Sequence, residues 1–275
     1  MAELMALTAA VFFGLVHFLS GLMARRADSY AVASVGQLGG TVLVLAVAPF
    51  VAAPHVDLAP LGWGALSGLG TGAGVAYLYR GLSRGHMSTV VPLSDVAAVA
   101  LPVLAGVFLL GDRPGVLAWV GIAVALPALW LVSRRGPAGT AAGAADGLVA
   151  GIGFALQFVA ISRIDPAAGL WPILAARVTA FATIVPLALT ARATLRLPRR
   201  LIAPALVVGA LGSVAIVLYL AATRQQLLAV ATVLAALYPA VPVLLGVILL
   251  RERPAPAQLA GLGAAAAAIA LISIG

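Results

Sequence analysis

A chain of 275 residues with 63% hydrophobic and only 9% charged side chains lies far from a soluble globular domain, in which about 25% of residues are charged. The formal charge of +8 comes from sixteen arginines and no lysine, and all of these but Arg177 sit at or near the ends of apolar stretches. They read as membrane anchors and orientation signals, which excludes a nucleic-acid partner. There is no cysteine, so disulfides and thiol chemistry are excluded as well.

A bilayer crossing takes roughly 20 predominantly apolar residues. Taken in chain order, apolar stretches predict helices over 4–23, 30–52, 60–80, 88–110 and 115–133. A second set follows over 146–162, 168–190, 201–222, 228–250 and 256–274, its first member the shortest of the ten. These runs exceed strand length and lack a period of two, so buried β-structure is a poor reading. The first stretch has only Glu3 ahead of it and Arg25 and Arg26 behind it, the reverse of a cleavable signal peptide. The longest break, 134–145, is rich in Gly, Ala and Thr and reads as a flexible linker. No break has room for a soluble catalytic domain.

The two sets are copies. Residues 102–114 (PVLAGVFLLGDRP) and 242–254 (PVLLGVILLRERP) agree at nine of thirteen positions under a shift of 140. The same shift superposes Phe18 on Phe158, Gly72 on Gly212, Tyr79 on Tyr219 and Gly121 on Gly261. The expected organisation is a first five-helix repeat over 1–135, a linker over 136–145 and a second repeat over 146–275. Five crossings per copy put the second copy upside down relative to the first, a construction many secondary transporters share. The fold class is therefore an all-α integral membrane protein of ten transmembrane helices in two inverted five-helix repeats. Loops after odd-numbered helices hold twelve arginines and loops after even-numbered helices hold three. By the positive-inside rule the odd loops are cytoplasmic and both termini lie outside.

The stretch YLYRGLSRGHMSTVVPLSDVAAVALPVLAGVFLLGDRP, followed by WVGIAVAL, resembles the EamA repeat of the drug/metabolite transporter superfamily. The second copy, LYLAATRQQLLAVATVLAALYPAVPVLLGVILLRERP followed by LAGLGAAAA, is similar to it more closely still. Arg177 matches an arginine often found in the second helix of that repeat. The resemblance implies an exporter or exchanger of metabolites, amino acids or drugs, with helices 1, 3, 4, 6, 8 and 9 walling a central cavity. The chain departs from the family pattern at Gln37, the mate of Arg177, and at Val99, the mate of Pro239. Its arginine count also reverses the cytoplasmic termini of many members.

Polar groups in a bilayer core are costly and tend to face the protein interior. Asp95 is the foremost candidate for binding substrate or a proton, since burial raises a carboxyl pKa and would let it titrate. The competing reading is an ion pair with Arg177, the one deep cation. Arg177 suits an oxyanion on a substrate or a structural role. His17 titrates near neutral pH, and its mate is Gln157, which favours hydrogen bonding toward a cavity. Tyr79, Tyr219 and Tyr238, with Tyr77, form either an aromatic wall for a ligand or interfacial anchors. Pro92, Pro102, Pro239 and Pro242 bend the fourth and ninth helices, as hinges or as static kinks. Gly68, Gly70, Gly72 and Gly74 form a small-residue stripe for close helix packing. Asp112 and Glu252 are expected to cap the helix that follows each.

No second histidine stands at ligand spacing, so no metal site is expected. The run GLGTGAG (68–74) lies inside an apolar span and lacks the lysine of a phosphate loop, so no nucleotide cofactor is expected either. With no nucleophile–base constellation the chain is read as no enzyme. The leading expectation is a secondary active transporter of a small organic metabolite such as an amino acid or amphipathic drug, in the inner or plasma membrane. Its partners would be the bilayer, the solute and possible coupling protons, with a monomer sufficient. The alternatives are a passive channel, a non-transporting membrane subunit or a lipid-modifying membrane enzyme.

Overall fold

The computed structural model describes residues 1–24, 26–84, 87–133, 143–238, 240–250 and 255–274. Among them the first half forms α1 (Ala2–Ala24), α2 (Ser29–Val47), α3 (Leu58–Arg84), α4 (Met87–Leu109) and α5 (Val116–Ser133). The second half forms α6 (Ala144–Ser162), α7 (Trp171–Thr190), α8 (Arg199–Thr223), α9 (Leu228–Ala235), α10 (Ala240–Leu250) and α11 (Pro256–Ile274). All ten predicted spans are helical, and the described residues contain no strand. The ninth span differs from expectation, because it is split into α9 and α10. Helical hydrogen bonding gives way at the split to tighter three-residue turns, Leu237 N to Leu234 O and Ala240 N to Leu237 O. Such a break is tolerated in a membrane only where protein surrounds it or water reaches it.

Among the described residues, five helices are long and apolar enough to cross a bilayer by themselves: α1, α2 with its 3₁₀ extension to Phe50, α6, α7 and α8. At 19 residues α6 spans about 28 Å, close to the hydrocarbon thickness. Contacts between loops give the crossing pattern. After odd spans, Asp28 Oδ2 accepts from Thr194 N at 3.1 Å, and Arg80 at the end of α3 meets Asp146 at the start of α6. After even spans, His55 N donates to Ala167 O at 3.3 Å and Ala229 N donates to Asp112 Oδ2 at 2.8 Å. Odd loops thus meet odd loops, and even loops meet even ones. Each half crosses five times, and the halves run in opposite senses.

The packing maps onto itself when the halves are exchanged. α3 wedges between α6 and α7, and its mate α8 wedges between α1 and α2. α4 packs on α6, and α1 packs on α9 and α10. The pairs α2 with α7, α4 with α9 and α5 with α11 join mates to each other and so mark the pseudo-twofold axis. The glycine stripe of α3 makes the wedge possible. A side chain at Gly68 or Gly72 would strike α7, and one at Gly70 or Gly74 would strike α6.

The main apolar core gathers buried residues from α1, α2, α4, α5, α6, α7, α8, α9 and α11. Outside it, Phe50, Phe108, Val116 and Ile248 are exposed. That outer surface is what acyl chains would cover, since a water-soluble monomer rarely exposes large apolar patches.

Candidate functional site

Where the ninth span breaks, three candidate side chains meet. Tyr238, in the break, donates its hydroxyl to Asp95 Oδ1 of α4 at 2.7 Å. The Tyr238 ring stacks on His17 of α1, with centroids 4.6 Å apart and planes 25° from parallel. His17 Nδ1 donates to Phe13 O at 2.7 Å, which leaves Nε2 as the nitrogen able to accept a proton. The close approach of α1 requires Gly14, where a Cβ would stand 2.7 Å from Tyr238 O. Asp95 is 4% exposed. His17 is exposed, although it continues the inward face of Ala6, Ala9, Ala10 and Phe13, all buried. His17 is thus the exposed end of this face, and Phe13, one turn away, is buried.

The closed side is an aromatic ladder. Phe13 packs edge-on against Tyr238 and Phe158, at 6.4 and 6.1 Å, and Phe158 lies 4.9 Å from Tyr219. Tyr219 and Thr232 are fully buried and share a hydroxyl hydrogen bond of 2.8 Å. Directly outward lies a pocket of about 420 Å³ on the even-loop face, bordered by Asp112, Ser162, Arg163, Thr223, Gln225 and Leu228 among others. Phe158, Tyr219 and Thr232 each stand four residues inward of a pocket residue: Ser162, Thr223 and Leu228. Each therefore lies about one helical turn beneath the pocket's lining. The pocket joins residues of both halves.

Two further polar contacts occupy the bundle interior. Gln157 Oε1 accepts the Thr71 hydroxyl at 2.6 Å, joining α6 to α3. Arg177 Nη1 donates to Gln37 Oε1 at 3.1 Å, joining α7 to α2. Arg177 is 5% exposed.

Several expectations change. Arg177 pairs with Gln37, and the Asp95–Arg177 ion pair does not form, because Arg177 lies on the α2–α7 contact while Asp95 faces the broken span. The hydrogen bonding expected of His17 and Gln157 toward a cavity goes to Phe13 O and the Thr71 hydroxyl. The tyrosines do not form one wall: Tyr219 and Tyr238 join the ladder, while Tyr77 lies under the guanidinium of Arg80 at 4.1 Å. Asp112 caps α9 in the other half and not α5, since Ala229 N is the second amide of α9. α4 runs unbroken through Pro92 and Pro102, so only the ninth span is split. Pro239 and Glu252 lie outside the described residues, as do the side chains of Tyr79, Pro92 and Pro242. The sequence reading missed Phe13, Thr71 and Thr232. The one available signal was that Phe13 precedes His17 by four residues on a helix and so shares its face.

Comparisons with known proteins agree with this architecture. The family model described as the EamA-like transporter family matches residues 1–134 and again 139–274. A protein of solved crystal structure superposes with a TM-score of 0.72 at 16% identity, over 99% of this chain and 95% of its own. At that identity the likeness concerns the fold alone. No curated protein matches the sequence significantly.

Proposed function

The chain belongs to the EamA-like transporter family, and from that footing we propose that it is a secondary carrier exporting or exchanging a small organic metabolite by alternating access. The observation that carries this reading is the unequal closure of one seam. His17 is exposed, while Phe13, one turn toward the even face, and Phe158, Tyr219 and Thr232 are buried between it and the even-face pocket. In this account the opposite state opens the ladder and closes the cleft at His17. Inverted repeats supply such a pair of states, because exchanging the conformations of the two halves exchanges the open side.

Asp95, Tyr238 and His17 are the proposed locus where solute and proton compete. The carboxylate and His17 Nε2 are its titratable atoms, and Tyr238 links the two. Phe13 and Phe158 offer apolar surface to an amphipathic solute such as an amino acid or drug. Tyr219 acts as a gate. The break at Ala236–Tyr238 and the adjacent prolines form the hinge between α9 and α10, and residues 1–135 and 146–275 are the moving units. The twelve-to-three arginine asymmetry supports an inner or plasma membrane location with odd loops cytoplasmic and both termini outside. This structure is then the inward-open state, and a monomer is sufficient. Counterflow in proteoliposomes tests the reading. A carrier exchanges labelled for unlabelled metabolite at a saturating rate, whereas flux that never saturates and shows no exchange means a channel.

A further inference from the structure

The segment joining α7 to α8 is a strap braced across the odd-loop end of the bundle. Ala193, Leu195 and Leu197 are half-buried, while Arg192, Thr194, Arg196 and Pro198 around them are exposed. Side chains of an extended chain alternate in this way. Ala193 and Leu195 pack on the apolar cluster around Ile184, and Leu197 packs on the one around Leu201. Asp28 Oδ2 holds the middle of the strap through Thr194 N at 3.1 Å. The inner face is therefore fixed. The outer face is a row of arginines that continues into Arg199 and Arg200, both exposed, at the start of α8.

These arginines have no use inside the molecule. None of Arg192, Arg196, Arg199 and Arg200 forms an ion pair among the described residues. Of the acids described on this face, Asp28 is spent on the amides of Tyr30 and Thr194, and Asp146 on Arg80. Arg199 and Arg200 do not serve α8 either, since cations in a first turn oppose the helix macrodipole. An excess of charge on one face sets orientation. It does not require four arginines on one braced segment of nine residues, 192–200.

The surface directly beneath them is apolar. Ile202 and Ala203 stand three and four residues after Arg199, and Val207 seven after Arg200, so they continue the same side of α8 into the span. All three are exposed. A cationic rim over an exposed apolar face matches one phospholipid, its phosphate at the arginines and its chains along α8. A soluble anion makes no use of the apolar part.

We propose that the strap and the first turn of α8 form a docking site for an anionic phospholipid, such as phosphatidylglycerol, in the leaflet on the odd-loop face. The site concerns the bilayer and not the solute, so it stands apart from the carrier reading above. Arginine suits a phosphodiester, because its fork donates to two oxygens at once. A zwitterionic phospholipid offers the same phosphate but carries a cation beside it, which the arginines repel.

The test uses the full-length protein in mixed micelles. Phosphatidylglycerol and phosphatidylcholine of identical chains compete, and native mass spectrometry counts the lipid retained. The parent is expected to prefer phosphatidylglycerol by about ten-fold or more. Arg199→Gln combined with Arg200→Gln is expected to lower that preference by about five-fold or more. Arg113→Gln combined with Arg224→Gln removes equal charge from the even-loop face and is expected to keep it. Should the first double variant not fold, Arg196→Gln, on the strap and outside any helix, takes its place. High salt is expected to weaken the parent's preference, because exposed charges are screened. Equal retention of the two lipids, a preference untouched by salt, or one that survives loss of the strap-side arginines overturns the proposal. So does an equal fall in both double variants. Inorganic phosphate that displaces the lipid at equal concentration overturns the lipid as occupant and makes the site one for a soluble anion.

Discussion

Arg177 and Gln37 are hydrogen-bonded at 3.1 Å and stand 140 positions apart, so each is the other's repeat mate. The bond therefore crosses the pseudo-twofold axis where α2 meets α7. This explains why the first copy departs from its family pattern. An arginine in both copies would bring two guanidinium groups together in a buried place, and like charges so placed are costly. Gln37→Leu removes the hydrogen-bond partner of Nη1 and is expected to cost about 1–3 kcal/mol. Gln37→Arg is expected to cost more. Unfolding in mixed micelles measures both, and a Gln37→Arg variant as stable as the parent would contradict the axial placement.

Asp95→Asn keeps an oxygen that can accept from Tyr238 and removes the titratable group. Folding is expected to survive, with stability within about 1 kcal/mol of the parent, the net worth of an ordinary hydrogen bond. Transport is expected to lose its pH dependence. If transport by the variant follows the parent's pH profile, proton coupling does not run through Asp95.

Asp112 satisfies the second amide of α9 from the opposite half, at 2.8 Å. Asp112→Ala removes this cap at a cost of about 0.5–2 kcal/mol. The loss should loosen the even-face rim, where Asp112 and Leu228 line the same pocket. Amide exchange at 228–232 is the readout, and unchanged protection there would refute the role.

Two glycines one turn apart on α8 predict opposite outcomes. A Cβ at Gly209 would run into the Gly36 backbone on α2, whereas one at Gly212 meets nothing closer than 3.8 Å. Gly209→Ala is expected to destabilise by about 1–3 kcal/mol or more, because two backbones must separate. Gly212→Ala is expected to be nearly neutral in stability. Comparing their unfolding midpoints checks the α2–α8 contact directly.

Much of the architecture was legible in the sequence because it rests on local or periodic signals. Apolar length sets the spans, and the 140-residue shift sets the duplication. The spacing of Gly68, Gly70, Gly72 and Gly74 sets the wedge. The candidate residues Asp95 and His17 stood out because polar atoms are rare at that depth, and Tyr238 and Tyr219 as tyrosines able to line a wall or anchor at the interface. Their partners did not. Tyr238 reaches Asp95 across 143 positions and Asp112 reaches Ala229 across 117, and only the packing of the halves decides such pairings. Phe13, Phe158 and Thr232 were hidden for another reason. In an apolar chain, a phenylalanine in a gate has the same local signature as one in the core.

Because the chain contains no cysteine, single cysteines can report on each end of the seam without background. Gln225→Cys marks the even-face pocket, and Gly21→Cys, at an exposed site one turn beyond His17, marks the opposite cleft. Their reactivity toward a membrane-impermeant thiol reagent, applied from each side of oriented proteoliposomes with and without transported solute, is the decisive measurement. The account predicts labelling from opposite sides of the bilayer. It also predicts that solute changes the two in opposite directions, with Gly21→Cys falling as residues beneath Gln225→Cys become reachable. Labelling of both from the same side would mean that the halves are not inverted. Rates that rise together, or do not change, would mean that one seam does not open alternately at its two ends.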